Sequence, residues 1–217
     1  MNTDGVYGYN VWDADVVTER MIGHGANILT YLVDDIQKNF VNPMSENWVC
    51  KEAQDFFNNF KEKDEQLATR VNTRLHEFYE TMRDASDTWA QQTGGRSIAR
   101  WTQNYVPNID VSNFKEQVNG IRGINMKNVP EIMNTFNVII DKTKEEMRQI
   151  KELTQNVPFL GADQQEKLVQ LIEIIALDIS DSIASFRDET QMIINDTLTK
   201  YGDTAAMVSE KLSDSYK

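Results

Sequence analysis

The stretch AQDFFNNFKEKDEQLATRVNTRLHEFYETMRDASDTW, residues 53–89, decides the fold. Its apolar positions are Ala53, Phe56, Phe60, Leu67, Val71, Phe78, Met82, Ala85 and Trp89, with gaps of 3, 4, 7, 4, 7, 4, 3 and 4. A seven-residue repeat of this kind lays one apolar stripe along a long helix that packs as in a coiled coil. Neither Gly nor Pro occurs between Cys50 and Thr93. The predicted helix is therefore roughly 60 Å long at 1.5 Å per residue. Gly94-Gly95 supplies its stop.

Upstream, Val17, Met21, Ile28, Leu32, Ile36 and Phe40 form a second helical stripe, which Asn42-Pro43 is expected to end. Gly23 and Gly25 lie on or beside that stripe, and close approach of another helix would account for them. The first fifteen residues have no period and read as an irregular arm.

Downstream, residues 94–128 read as a connector with short helices near Ile98–Tyr105 and Phe114–Ile121. Asn128-Val-Pro130 then opens a helix with the stripe Ile132, Phe136, Ile139, Thr143, Met147, Ile150 and Val157. Asn156-Val-Pro158 closes it, and Asp163-Gln-Gln-Glu166 resembles a capping box for the next helix. That last helix carries Leu168, Leu171, Ile175, Ile179, Ile183, Phe186, Ile193, Tyr201, Val208 and Leu212, with Gly202 as a break near its end.

One organisation thus occurs twice: helix, stop, aromatic turn, long helix. The expected divisions are an arm (1–15), a first hairpin (16–93), a connector (94–128) and a second hairpin (129–217). The expected fold is all-α: two long-helix hairpins forming an elongated antiparallel four-helix bundle. Antiparallel hairpins put the end of the first and the start of the second at opposite ends. The connector must then cross roughly 50–60 Å, and its length suits that path, packed along the bundle.

Composition limits the function. Among 217 residues, 34 acidic side chains face 22 basic ones, a net charge of −12. Nucleic acid and anionic membrane surfaces attract the opposite charge. No run approaches the ~18 apolar residues of a membrane span, and the N-terminus lacks the basic and apolar regions of a conventional signal peptide. One Cys excludes an intrachain disulfide framework.

Candidate chemistry is sparse. His76 and Glu80 are one helical turn apart, but a metal needs two further ligands and the only other His is His24. Neither His has Glu three residues before it, which excludes the Glu-x-x-His pairs of di-metal bundles. Cys50 follows no nucleophile pattern, and Thr93-Gly-Gly-Arg-Ser lacks a phosphate-loop Lys. The expectation is no catalytic residue, no cofactor and no metal. Trp89, Trp101 and Tyr105 form a candidate aromatic cluster near the connector.

Trp48-Val-Cys50, followed by Lys-Glu-Ala53-Gln-Asp-Phe56-Phe57, resembles the Trp-x-Gly turn of the WXG-motif family, small helical-hairpin substrates of type VII secretion in Gram-positive bacteria. Phe159-Leu-Gly161 occupies the equivalent place in the second copy. The first copy has Cys for Gly, and the second has Phe for Trp. The aromatic is expected to plug the seam between the helices; Gly, or small Cys, is expected to allow positive φ or close approach.

The resemblance implies a non-enzymatic secreted substrate or adaptor, exported without a cleaved signal peptide and cytoplasmic beforehand. It implies protein partners: a secretion ATPase, a co-secreted effector or a host protein. Trp48, Cys50, Phe159 and Gly161 are the candidate turn and recognition residues. Two fused hairpins imply a monomer acting as its own pseudo-dimer. The family's Tyr-x-x-x-Asp/Glu signal occurs only as Tyr9/Asp13 and Tyr31/Asp35, whereas Tyr105 is followed by Ile109 and Tyr201 by Ala205. The alternative is a cytoplasmic helical scaffold unrelated to secretion.

Overall fold

The structure, a computed structural model, describes residues 8–102, 105–115, 122–125 and 127–215. About 80% of it is helical and almost none is strand, so the chain is all-α. Helix α1 runs Val11–Thr30, α2 Asn42–Asn47, α3 Lys51–Thr93, α4 Val129–Thr154 and α5 Ala162–Ser215. Two-residue strands, β1 (Trp48–Val49) and β2 (Gly123–Ile124), pair antiparallel. No helix among the described residues is long and apolar enough to cross a membrane.

The arm is shorter than the sequence suggests. Asn10 caps α1, its side chain accepting from the Trp12 N–H at 3.0 Å, so residues 11–15 are helical and Ala14 is fully buried. Residues 1–7 of that arm lie outside the described residues. The buried stripe of α1 is Ala14, Thr18, Met21, Gly25, Ile28 and Leu32, a heptad in which Thr18 and Gly25 stand among the apolar residues. Val17 is only half-buried.

Asn42-Pro43 does not end the helix. The rod continues from α1 through two π-helical stretches, Tyr31–Asp35 and Gln37–Val41, into α2, with Pro43 in the first turn of α2. An interior Pro lacks the N–H that the carbonyl four residues earlier would accept. Here that carbonyl, Asn39, accepts the Thr135 hydroxyl of α4 at 3.0 Å instead. The widened π turns take up the change of register.

α4 packs against both α1 and α5, and α3 packs against α5 and α1. Cross-helix contacts fix the directions. His24, Asp35 and Asn39 meet Glu146, Lys142 and Thr135, so α1 and α4 are antiparallel. Lys151 meets Glu173 and Arg187 meets Asn137, so α4 and α5 are antiparallel. Phe60 meets Phe186 and Glu52 meets Tyr201, which makes α3 and α5 antiparallel. Phe40, Phe60, Phe136 and Phe186, one from each long helical segment, share a ring cluster with centroid separations of 5.0 Å (Phe40–Phe60), 5.0 Å (Phe40–Phe136) and 4.8 Å (Phe60–Phe186). Each such pair adds about 0.5–1.5 kcal/mol beyond its buried area.

The described part of the connector is a strap, and residues 98–102 do not form the first expected short helix. It is extended and lies in the outer groove between α1 and α3. Side chains from these helices replace a regular ladder. The Ile98 N–H donates to Ser86 Oγ at 3.0 Å, Ala99 N–H to Asp15 at 3.1 Å, Ile109 N–H to Glu65 at 3.0 Å and Asp110 N–H to Gln37 at 2.7 Å. Its own Ile98, Trp101, Ile109 and Phe114 are buried against the helices. Most of the second expected helix, residues 116–121, lies outside the described residues. The strap also explains Gly25: a Cβ there would come within 2.6 Å of the Trp101 ring, the nearest neighbour, with Leu75 of α3 in ordinary contact at 3.5 Å.

Candidate functional site

Trp48 and Cys50 form the corner between α2 and α3. Trp48 is fully buried, with its ring centroid 5.4 Å from Phe56 and 6.0 Å from Phe57. Phe114 of the strap stacks on Phe57 at 3.9 Å. Trp48 pairs in β1 with Ile124, and Val49 with Gly123, whose φ of +148° suits glycine. Asn47 ties the corner to the start of α4: its carbonyl accepts the Asn125 N–H at 2.7 Å, and its side-chain oxygen accepts from Asn128 at 3.0 Å. Sequence reading gave Asn47 no role, because its partners are about eighty residues away.

Cys50 is the N-cap of α3, with extended backbone (φ −173°) and a thiol that accepts the Ala53 N–H at 3.3 Å. Positive φ is thus not what the third motif position needs. In the second corner Gly161 also stands one residue before a helix, α5. It has no positive φ, and an added Cβ would meet only Gln164 Oε1 at 3.9 Å. The Gly161 N–H donates to that same Gln164 oxygen at 3.1 Å, the reciprocal half of a capping box. The box therefore sits two residues earlier than Asp163. Both third positions share one job, the N-cap, where Gly is well tolerated.

Phe159 is buried in the second corner, 5.1 Å from the Tyr9 ring, and its carbonyl accepts the Trp89 indole N–H at 3.0 Å. Tyr9 in turn hydrogen-bonds Ser86 at 2.8 Å. The four candidate residues do not converge. One pair sits where α4 starts and the other where α4 ends, 26 residues away, or about 39 Å along the axis. Trp48, Cys50 and Phe159 present almost no surface to solvent, so as placed they plug the corners.

The expected aromatic cluster is dispersed along the strap. Trp89 belongs to the Phe159 corner, while Trp101 lies against His76 at 5.6 Å and Tyr79 at 5.7 Å. Tyr105 is half-buried; burial first, then Asp34 and Asp64, pushes its phenol up to about 12. Tyr9 and Tyr31 are built into the fold, and Asp35 pairs with Lys142 at 2.8 Å. Among the described residues no three His, Cys, Asp or Glu side chains are grouped to hold a metal.

Two polar features depart from the solvated faces that the charge runs Lys61–Glu65 and Lys142–Lys151 suggest from sequence. Glu146 on α4 accepts from His24 Nδ1 at 2.5 Å, Asn27 at 3.2 Å and the Tyr31 hydroxyl at 2.7 Å. Burial and this bond raise the Tyr31 phenol to about 12. Asp64 occupies a stripe position of α3, is fully buried, and neither carboxylate oxygen has a hydrogen-bond partner among the described residues. Burial, then the charge of Glu65, holds its carboxyl well above the usual carboxylate range. Comparison with family models, curated protein sequences and solved structures finds no match to this chain.

Proposed function

We propose that this chain is a non-enzymatic, secretion-associated protein built as two fused WXG-like hairpins. In this reading α1–α2 with α3, and α4 with α5, are the hairpins of one antiparallel four-helix bundle. The single chain supplies both halves of what would otherwise be a dimer. One observation carries the reading: each long second helix is preceded by the same corner, a buried aromatic two residues ahead of an N-cap, at opposite ends of α4. Its work is done through protein contacts, with a secretion ATPase, a co-secreted effector or a host protein as partner, after export without a cleaved signal peptide.

The test is the culture supernatant of the source organism. The protein is expected there and is expected to be lost from it when the secretion ATPase is deleted. Retention in the cytosol of both strains refutes the proposal and leaves the scaffold reading. Light scattering on the purified chain is expected to give a monomer at micromolar concentration.

A further inference from the structure

The first hairpin's outer groove is filled by the chain's own strap, with Trp101 and Ile98 buried in it. The second hairpin has an equivalent outer groove, between α4 and α5, with no described segment across it. It has a volume of about 700 Å³ and a floor that includes Ile140, Met147, Ile172 and Ala176. Leu177, on its edge, is 66% exposed, and neighbouring Ile174 is 64% exposed. Two such residues on adjoining turns make an apolar surface that water covers poorly.

The rim carries the clue to the occupant. Lys144, Arg148 and Lys151 recur at i, i+4 and i+7 on α4, and Arg187 faces them from α5. Only two acidic residues, Glu173 and Asp181, line the same groove. This is a locally basic site on a chain of net charge −12. Arg148 pairs with Glu145 and Glu152, Lys151 with Glu173 and Arg187 with Asp188, all at exposed positions. Exposed pairs of this kind contribute little and exchange readily for a partner's carboxylates. Lys144 has no ion-pair partner among the described residues.

We propose that the α4/α5 groove binds a linear, amphipathic, acidic segment of a partner protein. The segment lies along the second hairpin as the strap lies along the first. Because α4 and α5 pack directly on each other, it rests on the groove and is not wedged between the helices. From Ile140 to Lys151 the groove spans about 17 Å of helix axis, so about three helical turns of a partner fill it. The proposal deepens the partner-binding reading above and relies on it only for biological purpose. A failed peptide test leaves the export result standing, and the reverse also holds.

The experiment selects random peptides of about sixteen residues, displayed on phage, against the full-length protein, with counter-selection on the Leu177→Glu variant. Circular dichroism checks that this exposed substitution leaves the helices intact. Enriched sequences are expected to combine helically spaced apolar residues with an excess of Asp and Glu. A synthetic representative is expected to bind at least tenfold more weakly to Leu177→Glu and to Lys144→Glu/Arg187→Glu. Absence of enrichment over the variant, or enrichment of basic or uncharged peptides, overturns the proposal. So does a concentration-dependent dimer abolished by Leu177→Glu, which would make a second copy the occupant.

Discussion

Asp64 sits in the heptad line Phe60, Asp64, Leu67, Val71, where an apolar side chain would be expected. With its native pKa raised, the folded protein holds a proton that the unfolded chain releases above about 3.8, the ordinary value. Stability therefore falls as pH rises from there through the raised native value. Asp64→Asn is expected to remove this slope, so its advantage over the parent grows with pH in urea titrations. The neighbouring charge of Glu65 pushes in the same direction as burial. The two glycines of α1 make a second test. Gly23 is exposed with nothing within 4 Å of an added Cβ, so Gly23→Ala is expected to gain up to about 1 kcal/mol from helix propensity. Gly25→Ala collides with Trp101, and overpacking of about 1–3 kcal/mol outweighs that gain. Paired thermal melts read the opposite signs. Trp48→Ala, which empties the centre of a corner, is expected to cost about 3–5 kcal/mol in denaturant. At this scale the aromatic corner residues were legible in the sequence because large rings bracketed by helix stops are conspicuous. The N-cap role of Cys50 and Gly161 was not, since it depends on where the helix starts to within one residue.

Periodicity revealed the long helices and hid their interruptions. α3 was readable because two gaps of seven still keep phase, although Asp64 and Leu75 fill them in the structure. Of the upstream stripe, Met21, Ile28, Leu32, Ile36 and Phe40 are buried as the spacing predicts and only Val17 is half-buried; the line also uses Thr18 and Gly25, which an apolar count passes over. The π-helical run was illegible because the carbonyl freed by Pro43 finds its donor, Thr135, 96 residues away. The strap had no period to read: its buried residues are held by side-chain bonds from α1 and α3. It makes a prediction of its own. Residues 91–96 are exposed, whereas Ile98 and Trp101 are anchored. Engineering a protease site at Gly94–Gly95 and cutting it is expected to leave both fragments co-eluting on gel filtration, because the anchors and the interhelical core remain.

On the function proposed above, the molecule works through its surfaces. The sequence did not reveal those surfaces, because the basic row on α4 faces Arg187 only after α5 folds back. The strap has one more effect, on the order of assembly. α4 and α5 are joined by a seven-residue turn, residues 155–161, and pack directly on each other. The arm and strap, by contrast, are held by ties such as Tyr9 to Ser86 and Asp15 to Ala99, 77 and 84 residues apart. Short loops close sooner than long ones. Stopped-flow refolding is expected to slow for Ile139→Val or Ile179→Val, with φ-values above those of Ile98→Val, which chiefly speeds unfolding. The strap then seats late, on helices already in place, so the furrow it fills stands open to other occupants during the early steps of folding.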